Sequence, residues 1–281
     1  MIATEFSLSH RELSLHTYHW SATANPNGKA IGIIHGLGEH AGRYSNVASY
    51  FCSQGYEVFA FDHQGHGQSD GAKGTIQSWE SFVSQIDTFR KAIEGALDTP
   101  HDLLLWGHSM GGLVLLDYLS TRKEASTLYG AVVTSPPLKL ASPPPKILTS
   151  LASVISSLAP TLTKSNELNA SDLSHDQVVV ETYKTDPNNH DRVSMLLGYE
   201  LLDTPKRLLA KSQSMPVPVL FMHGDADRIC DVAGTNQFVK EVTGDVQLKI
   251  WPGLFHETHN EPEQLDVFAY AKTWIASIAE S

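Results

Sequence analysis

The 281-residue chain is 41% hydrophobic and 18% charged, the balance of a globular protein long enough to bury its own core without staples. Its 31 acidic against 20 basic residues give a formal net charge of −11, which repels a phosphate backbone; with no Lys/Arg cluster to offset it, neither nucleic-acid binding nor attraction to strongly anionic membranes is expected. Cys52 and Cys230 are too few for a disulfide framework, no apolar stretch is long enough to span a bilayer, and the N-terminus lacks the basic-then-apolar order of a signal peptide, so a cytoplasmic protein with reduced thiols is expected.

In chain order, residues 5–19 alternate and predict a hairpin near a sheet edge. Short apolar runs at Ile31–His35, Val58–Phe61, Leu103–Trp106, Ala131–Thr134, Val219–Met222 and Val246–Trp251 predict strands covered on both faces. Helical spacing falls between them. Phe82, Ile86, Phe89, Ile93 and Leu97 form one stripe; Leu265, Phe268, Ala271, Ile275 and Ile278 form another, with Pro262 suited to its first turn. Strands alternating with helices mean an α/β fold with a mostly parallel sheet. The rhythm breaks over residues 138–213, which show no clear strand and then helical patterns. A helical lid inserted after the sixth strand, within one domain spanning 1–281, is expected there.

In "LLLWGHSMGGL", residues 103–113, a predicted strand stops at a serine between glycines and a helix follows. G-x-S-x-G alone would occur by chance in about one chain in ten of this length, so the motif is weak; strand–turn–helix context makes it strong. A turn of this kind lifts Ser109 Oγ above the sheet, leaves room at Gly107 and Gly111 for close strand–helix approach, and aims the Met110 amide at a developing oxyanion. A serine hydroxyl needs a base and the base needs an orienting acid. "FMHGDADRICD" and "IWPGLFHETHNE" follow the strands at 219–222 and 246–251, supplying acid and base in the order this fold uses. Asp225 follows Gly224 and suits a turn, and Asp231 suits the next helix start, which favours Asp227; His256 precedes His259 and is favoured as base. "IIHGLGEHAGRY" after the first parallel strand offers Leu37 N–H, between Gly36 and Gly38, as second oxyanion donor.

Seven segments in order, HGLGEHAGRY, FDHQGHGQSDG, GHSMGG, TSPPL, ETYKTDP, GDADRICD and FHETHNEPE, resemble the monoacylglycerol lipase and lysophospholipase-like group of α/β-hydrolases over nearly the whole chain. The resemblance implies a triad of Ser109, Asp227 and His256 with Leu37 and Met110 as oxyanion donors, and so selects among the candidate acids and bases. It further implies that Glu39, Arg43, Tyr183 and His259 line the glycerol end of the site. The structural alternative is an ion pair of Glu39 and Arg43 under the loop. Cys230 matches the group's thiol near the acid loop and is expected to be partly buried and inert. The group uses no metal and no cofactor, and H-x-x-H at His63 and His66 lacks the neighbours of a metal site. His35, His108 and His223 are expected as packed neighbours of the site.

Within the insertion, Ile147, Leu151, Val154, Ile155 and Leu158 share one helical stripe, uncharged between Lys146 and Lys164 and ended by Pro160. It would pack on the body as a lid, wall an acyl chain, or make peripheral contact with a membrane. The expected substrate is a lipid ester, a monoacylglycerol first and a lysophospholipid or general ester second. A serine aminopeptidase would need Glu167, Asp172 and Asp176 to cluster around an amine, and they read as solvated.

Overall fold

The computed structural model describes residues 2–143, 146–210 and 213–278, the side chains of 146–151 excepted. The chain runs β1 (Thr4–His10), β2 (Leu13–Trp20), β3 (Lys29–Ile34), α1 (Ser45–Cys52), β4 (Glu57–Phe61), α2 (Trp79–Ala96), β5 (Asp102–His108), α3 (Met110–Thr121) and β6 (Gly130–Thr134). It continues with α4 (Lys146–Leu158), β7 (Thr163–Ser165), α5 (Gln177–Thr185), β8 (Arg192–Ser194), α6 (Met195–Leu209), β9 (Val219–Gly224), α7 (Val232–Glu241), β10 (Val246–Trp251) and α8 (Gln264–Ser277). Eight strands form one sheet in the order β1-β2-β4-β3-β5-β6-β9-β10. The hairpin lies at one edge, β2 joins β4 antiparallel, and every later pairing is parallel.

The central strands read as unbroken apolar runs because both faces are covered. Alternate residues go to opposite cores. Ala30, Ile34, Leu103, Leu105, Val219 and Phe221 pack with α2 and α3 on one side. Ile31, Ile33, Leu104, Trp106, Leu220 and Met222 pack with α1 and α8 on the other. The parallel registers Ile34↔Gly107, His108↔Thr134, Thr134↔Met222 and Gly224↔Trp251 bring the C-terminal strand ends into one row. Loops leaving that row face one another, which is where ligands bind on open α/β sheets.

Three readings are corrected. Leu265 is 64% exposed, and α8 buries Val267, Phe268, Ala271, Trp274 and Ile275 instead. Pro262 precedes α8, whose first residue is Gln264, and does not stand in its first turn. The segment between β6 and β9 does contain strands: β7 and β8 pair antiparallel through Thr163↔Ser194 and Ser165↔Arg192. Each has only three residues, too short for a period-2 pattern to show. α4 ends at Leu158, two residues before Pro160; of its predicted stripe, Ile147 and Leu151 lie outside the described side chains, while Val154 and Leu158 are 56% and 81% exposed.

Candidate active site

Ser109 follows β5 directly and caps α3 in a conformation that L-residues rarely adopt, φ 51° and ψ −121°. The turn holds because its amide donates to Thr134 O at 2.9 Å while its carbonyl accepts from Leu113 N at 3.0 Å. Glycine is required on either side. A Cβ on Gly107 would stand 2.7 Å from Gly111 O, and one on Gly111 would collide with the carbonyl oxygens of Ile34 and His35. α3 starts at Met110, directly after the serine, and its first amide has no intrahelical acceptor. Gly36 closes the other side: a Cβ there would lie 3.2 Å from Ser109 Cβ, which puts Leu37 next to the nucleophile loop.

His256 Nε2 is 2.9 Å from Ser109 Oγ, and His256 Nδ1 is 2.7 Å from Asp227 Oδ2. Asp227 Oδ1 accepts from the amides of Ile229 and Cys230 at 2.8 and 3.0 Å, so the carboxylate is aimed by its own loop. The rival acids are used elsewhere. Asp225 Oδ1 accepts from Gly253 N at 2.6 Å, and Asp231 caps α7 through Ala233 N. Burial opposes charge on both partners. Even so, the neighbouring carboxylate and the Cys230 thiol hold His256 well above its ordinary 6.5, and the imidazoles of His256 and His223 hold Asp227 below its ordinary 3.8.

His223 does more than pack. Its Nε2 lies 3.0 Å from Asp227 Oδ2 and 3.2 Å from Cys230 O, and its Nδ1 lies 2.8 Å from Thr235 Oγ1. Two acceptors at Nε2 place the proton there, so Thr235 donates to Nδ1 and fixes that tautomer. The Cys230 thiol is 1% exposed rather than partly buried, and burial pushes its pKa up. Among the described residues, Asp227, Cys230 and His256 are the one group whose ligand atoms, within 4.8 Å of one another, could hold a metal ion. His63 and His66 are not in it: His63 Nδ1 meets Gln85 Oε1 at 3.0 Å, His66 Nδ1 donates to Gln64 O at 3.1 Å, and burial lowers His63 to about 4.

Beside the serine lies a buried polar cluster. Glu39 Oε1 accepts from Gly36 N at 2.6 Å and Tyr44 OH at 2.8 Å, and its other oxygen pairs with Arg43 Nη1. The Arg43 guanidinium also grips Glu257 bidentately, at 2.6 and 2.7 Å, and lies over the Tyr183 ring at 4.8 Å. Tyr183 OH reaches Gly38 O at 3.4 Å. His259 stacks on Tyr44 at 4.8 Å and meets His108 edge-on at 4.7 Å. Both its ring nitrogens are buried without a hydrogen-bond partner among the described residues, and burial lowers it to about 4. The four residues implied for the head-group end thus stand together, joined by Glu257, which the sequence did not single out. Glu257 follows His256 directly, and its only local signal was an acid adjacent to a candidate site histidine.

The loop carrying His256 is held from the insertion. Glu257 N donates to Leu173 O at 2.8 Å, Ser174 Oγ to Asn260 O at 2.8 Å, and the fully buried Glu261 accepts from Phe255 N and His175 N at 2.6 and 2.9 Å.

Residues 25–263 match the protein family described as "Serine aminopeptidase, S33". The chain is 35% identical to the monoacylglycerol lipase of Mycolicibacterium smegmatis, over 92% of this chain and 91% of that protein. The chain belongs to the S33 family of α/β-hydrolases, in its monoacylglycerol-lipase-like group. The monoacylglycerol lipase of Paleococcus ferrophilus superposes on this S33 chain with a TM-score of 0.83 and 31% identity, covering 94% of this chain and 99% of that one. An uncharacterised abhydrolase domain-containing protein of Dictyostelium discoideum is 34% identical, but the chain spans only 28% of its length. The S33 chain is an enzyme of the lipase/esterase type on the α/β-hydrolase fold.

Proposed function

We propose that this S33 enzyme hydrolyses monoacylglycerols to fatty acid and glycerol through an acyl-enzyme on Ser109. His256 Nε2 takes the hydroxyl proton, Oγ attacks the ester carbonyl, and the Leu37 and Met110 amides hold the oxyanion. His256 then protonates the departing glycerol oxygen, and a water repeats the sequence in reverse to release the fatty acid. The observation that carries the head group is His259: two buried ring nitrogens with no partner among the described residues stand beside the relay, where a ligand hydroxyl or a water can satisfy them. Glu39, Arg43 and Tyr183 complete that polar end. The family is described by a peptidase, but the acids an amine site would need do not cluster: Asp172 lies 3.4 Å from Arg228, Asp176 caps α5, and Glu167 is exposed.

The deciding comparison is kcat/KM for a long-chain monoacylglycerol, the matching lysophosphatidylcholine and the matching methyl ester, with Ser109→Ala as blank. A preference of about tenfold or more for the monoacylglycerol is expected, since an analogue without hydroxyls leaves buried polar groups unpaired. Equal rates would make Glu39, Arg43, Tyr183 and His259 structural and the enzyme a general lipid esterase.

Residues 138–213 are proposed as a lid whose helix α4 makes peripheral membrane contact. Val154, Ile155, Leu158 and Leu162 are 56%, 37%, 81% and 59% exposed, apolar side chains open to solvent on α4 and just after it. Replacing Leu158 and Leu162 together by aspartate is expected to weaken co-sedimentation with neutral phosphatidylcholine vesicles by about tenfold or more. Binding that survives the double substitution would place the contact elsewhere.

A further inference from the structure

A free guanidinium beside an ester site is an anion receptor, because its planar fork matches phosphate and carboxylate oxygens. Arg43 is not free. Glu257 occupies Nη1 and Nη2 together, Glu39 takes Nη1 as well, and the Tyr183 ring covers a face. Glu257 is itself locked, since Oε2 also accepts from Asn260 Nδ2 at 2.8 Å and its backbone amide is held by Leu173 O. Arg43, Glu39 and Glu257 have side-chain exposures of 9%, 3% and 2%, so solvent does little to screen them. Two carboxylates against one guanidinium leave the cluster neutral or negative in either protonation state of Glu39, and never positive. Its distance from the nucleophile is short: a Cβ on Gly36 would touch both Glu39 Oε1 at 2.9 Å and Ser109 Cβ at 3.2 Å.

We propose that Glu257 is a specificity-determining residue: by holding the Arg43 guanidinium bidentately it makes the head-group end a receptor for an uncharged polyol and rejects esters that carry a phosphate there. This rests on the assignment of that end to the head group. Glu257 is not placed in contact with the reacting atoms; it acts through Arg43 and through its own charge.

The test uses the full chain and two soluble butanoyl esters, 1-butanoylglycerol and its 3-phosphate, in about 0.5 M NaCl so that the surface charge is screened and only near contacts discriminate. Wild type is expected to favour the neutral ester by about a hundredfold in kcat/KM, and Glu257→Gln to narrow that ratio by about tenfold or more, chiefly through KM of the phosphorylated ester. Wild type turning over both esters within about threefold would overturn the proposal, as would an unchanged ratio in a Glu257→Gln protein with wild-type melting behaviour. A second measurement needs no variant. Glycerol is expected to compete with substrate on wild type and glycerol 3-phosphate to compete far less; equal competition overturns the proposal. Failure of the head-group assignment itself has a different signature, wild type that treats 1-butanoylglycerol and methyl butanoate alike.

Discussion

Ser109→Ala is expected to lower kcat/KM on any ester by about 10⁵-fold to 10⁶-fold, the cost of losing the nucleophile from a unit that works as a whole. Folding should be untouched, because the hydroxyl's one hydrogen-bond partner among the described residues is His256 Nε2 at 2.9 Å and the turn is held by backbone bonds to Thr134 and Leu113. The strand–helix turn at Ser109 makes a sharper demand. With φ 51° and ψ −121°, Ser109 occupies a backbone region that glycine alone adopts without strain. Ser109→Gly should therefore abolish turnover equally and raise stability, by about 1 kcal/mol after the chain-entropy cost of glycine. In a chain of this size that is a rise in Tm of about 2–4 °C over Ser109→Ala. Kinetics on a soluble ester and thermal melts of the two variants check both halves. Turnover surviving in either variant would remove Ser109 from the mechanism, and a glycine variant less stable than the alanine one would mean the turn is unstrained.

Asp227→Asn should cost about 10⁴-fold in kcat, because the amide leaves the imidazole in the wrong tautomer and withdraws the charge that stabilises the imidazolium. Here the effect has a second source. Asp227 Oδ2 faces two ring nitrogens, His256 Nδ1 and His223 Nε2, and both must donate. A carboxamide has one oxygen: placed at the Oδ2 position it turns its NH2 against the amides of Ile229 and Cys230, and flipped it turns the NH2 against both ring N–H groups.

The pH dependence follows from the same pair. The base works only when neutral, and the carboxylate raises His256 above 6.5, so the acid limb of wild-type kcat/KM should lie above pH 6.5. In Asp227→Asn the carboxylate's contribution is gone, and the limb should move down. For stability the signs are opposite for the two partners. His256, raised on folding, stabilises below pH 6.5, and that contribution is lost as pH rises through its folded value. Asp227, depressed on folding, stabilises above pH 3.8, and that contribution is lost as pH falls through its folded value. The melting difference between wild type and Asp227→Asn should be widest between pH 3.8 and 6.5, where both partners contribute. A difference independent of pH would mean that the pair is not ionised in the fold.

Much of this was legible from the chain alone. Strands buried on both faces must be apolar at consecutive positions, so β3, β5, β6 and β9 announced themselves without periodicity. The turn at Ser109 was legible because a close strand–helix approach tolerates only glycine at 107 and 111, a constraint one sequence can display. That Asp227 and His256 would reach Ser109 was legible from their place just after strands, since parallel strands deliver their C-terminal loops to one row. The stripe of α8 was misjudged at Leu265 because the helix starts two residues beyond Pro262, and a surface leucine fits a helical spacing as well as a buried one.

What only the tertiary structure decided is the set of partners. Arg43 and Glu257 stand 214 residues apart, and the pairing of a guanidinium with a carboxylate has no periodicity and no local spacing to betray it. The donation from His223 to Asp227 needed the turn between them, though they are four residues apart, and the anchoring of the His256 loop by Leu173, Ser174 and His175 needed the insertion folded back on it. Patterns of burial are written along the chain because every residue of an element obeys the same repeat. Partner choice among buried charges is made once, in space, where the low dielectric makes an unpaired carboxylate too costly to leave.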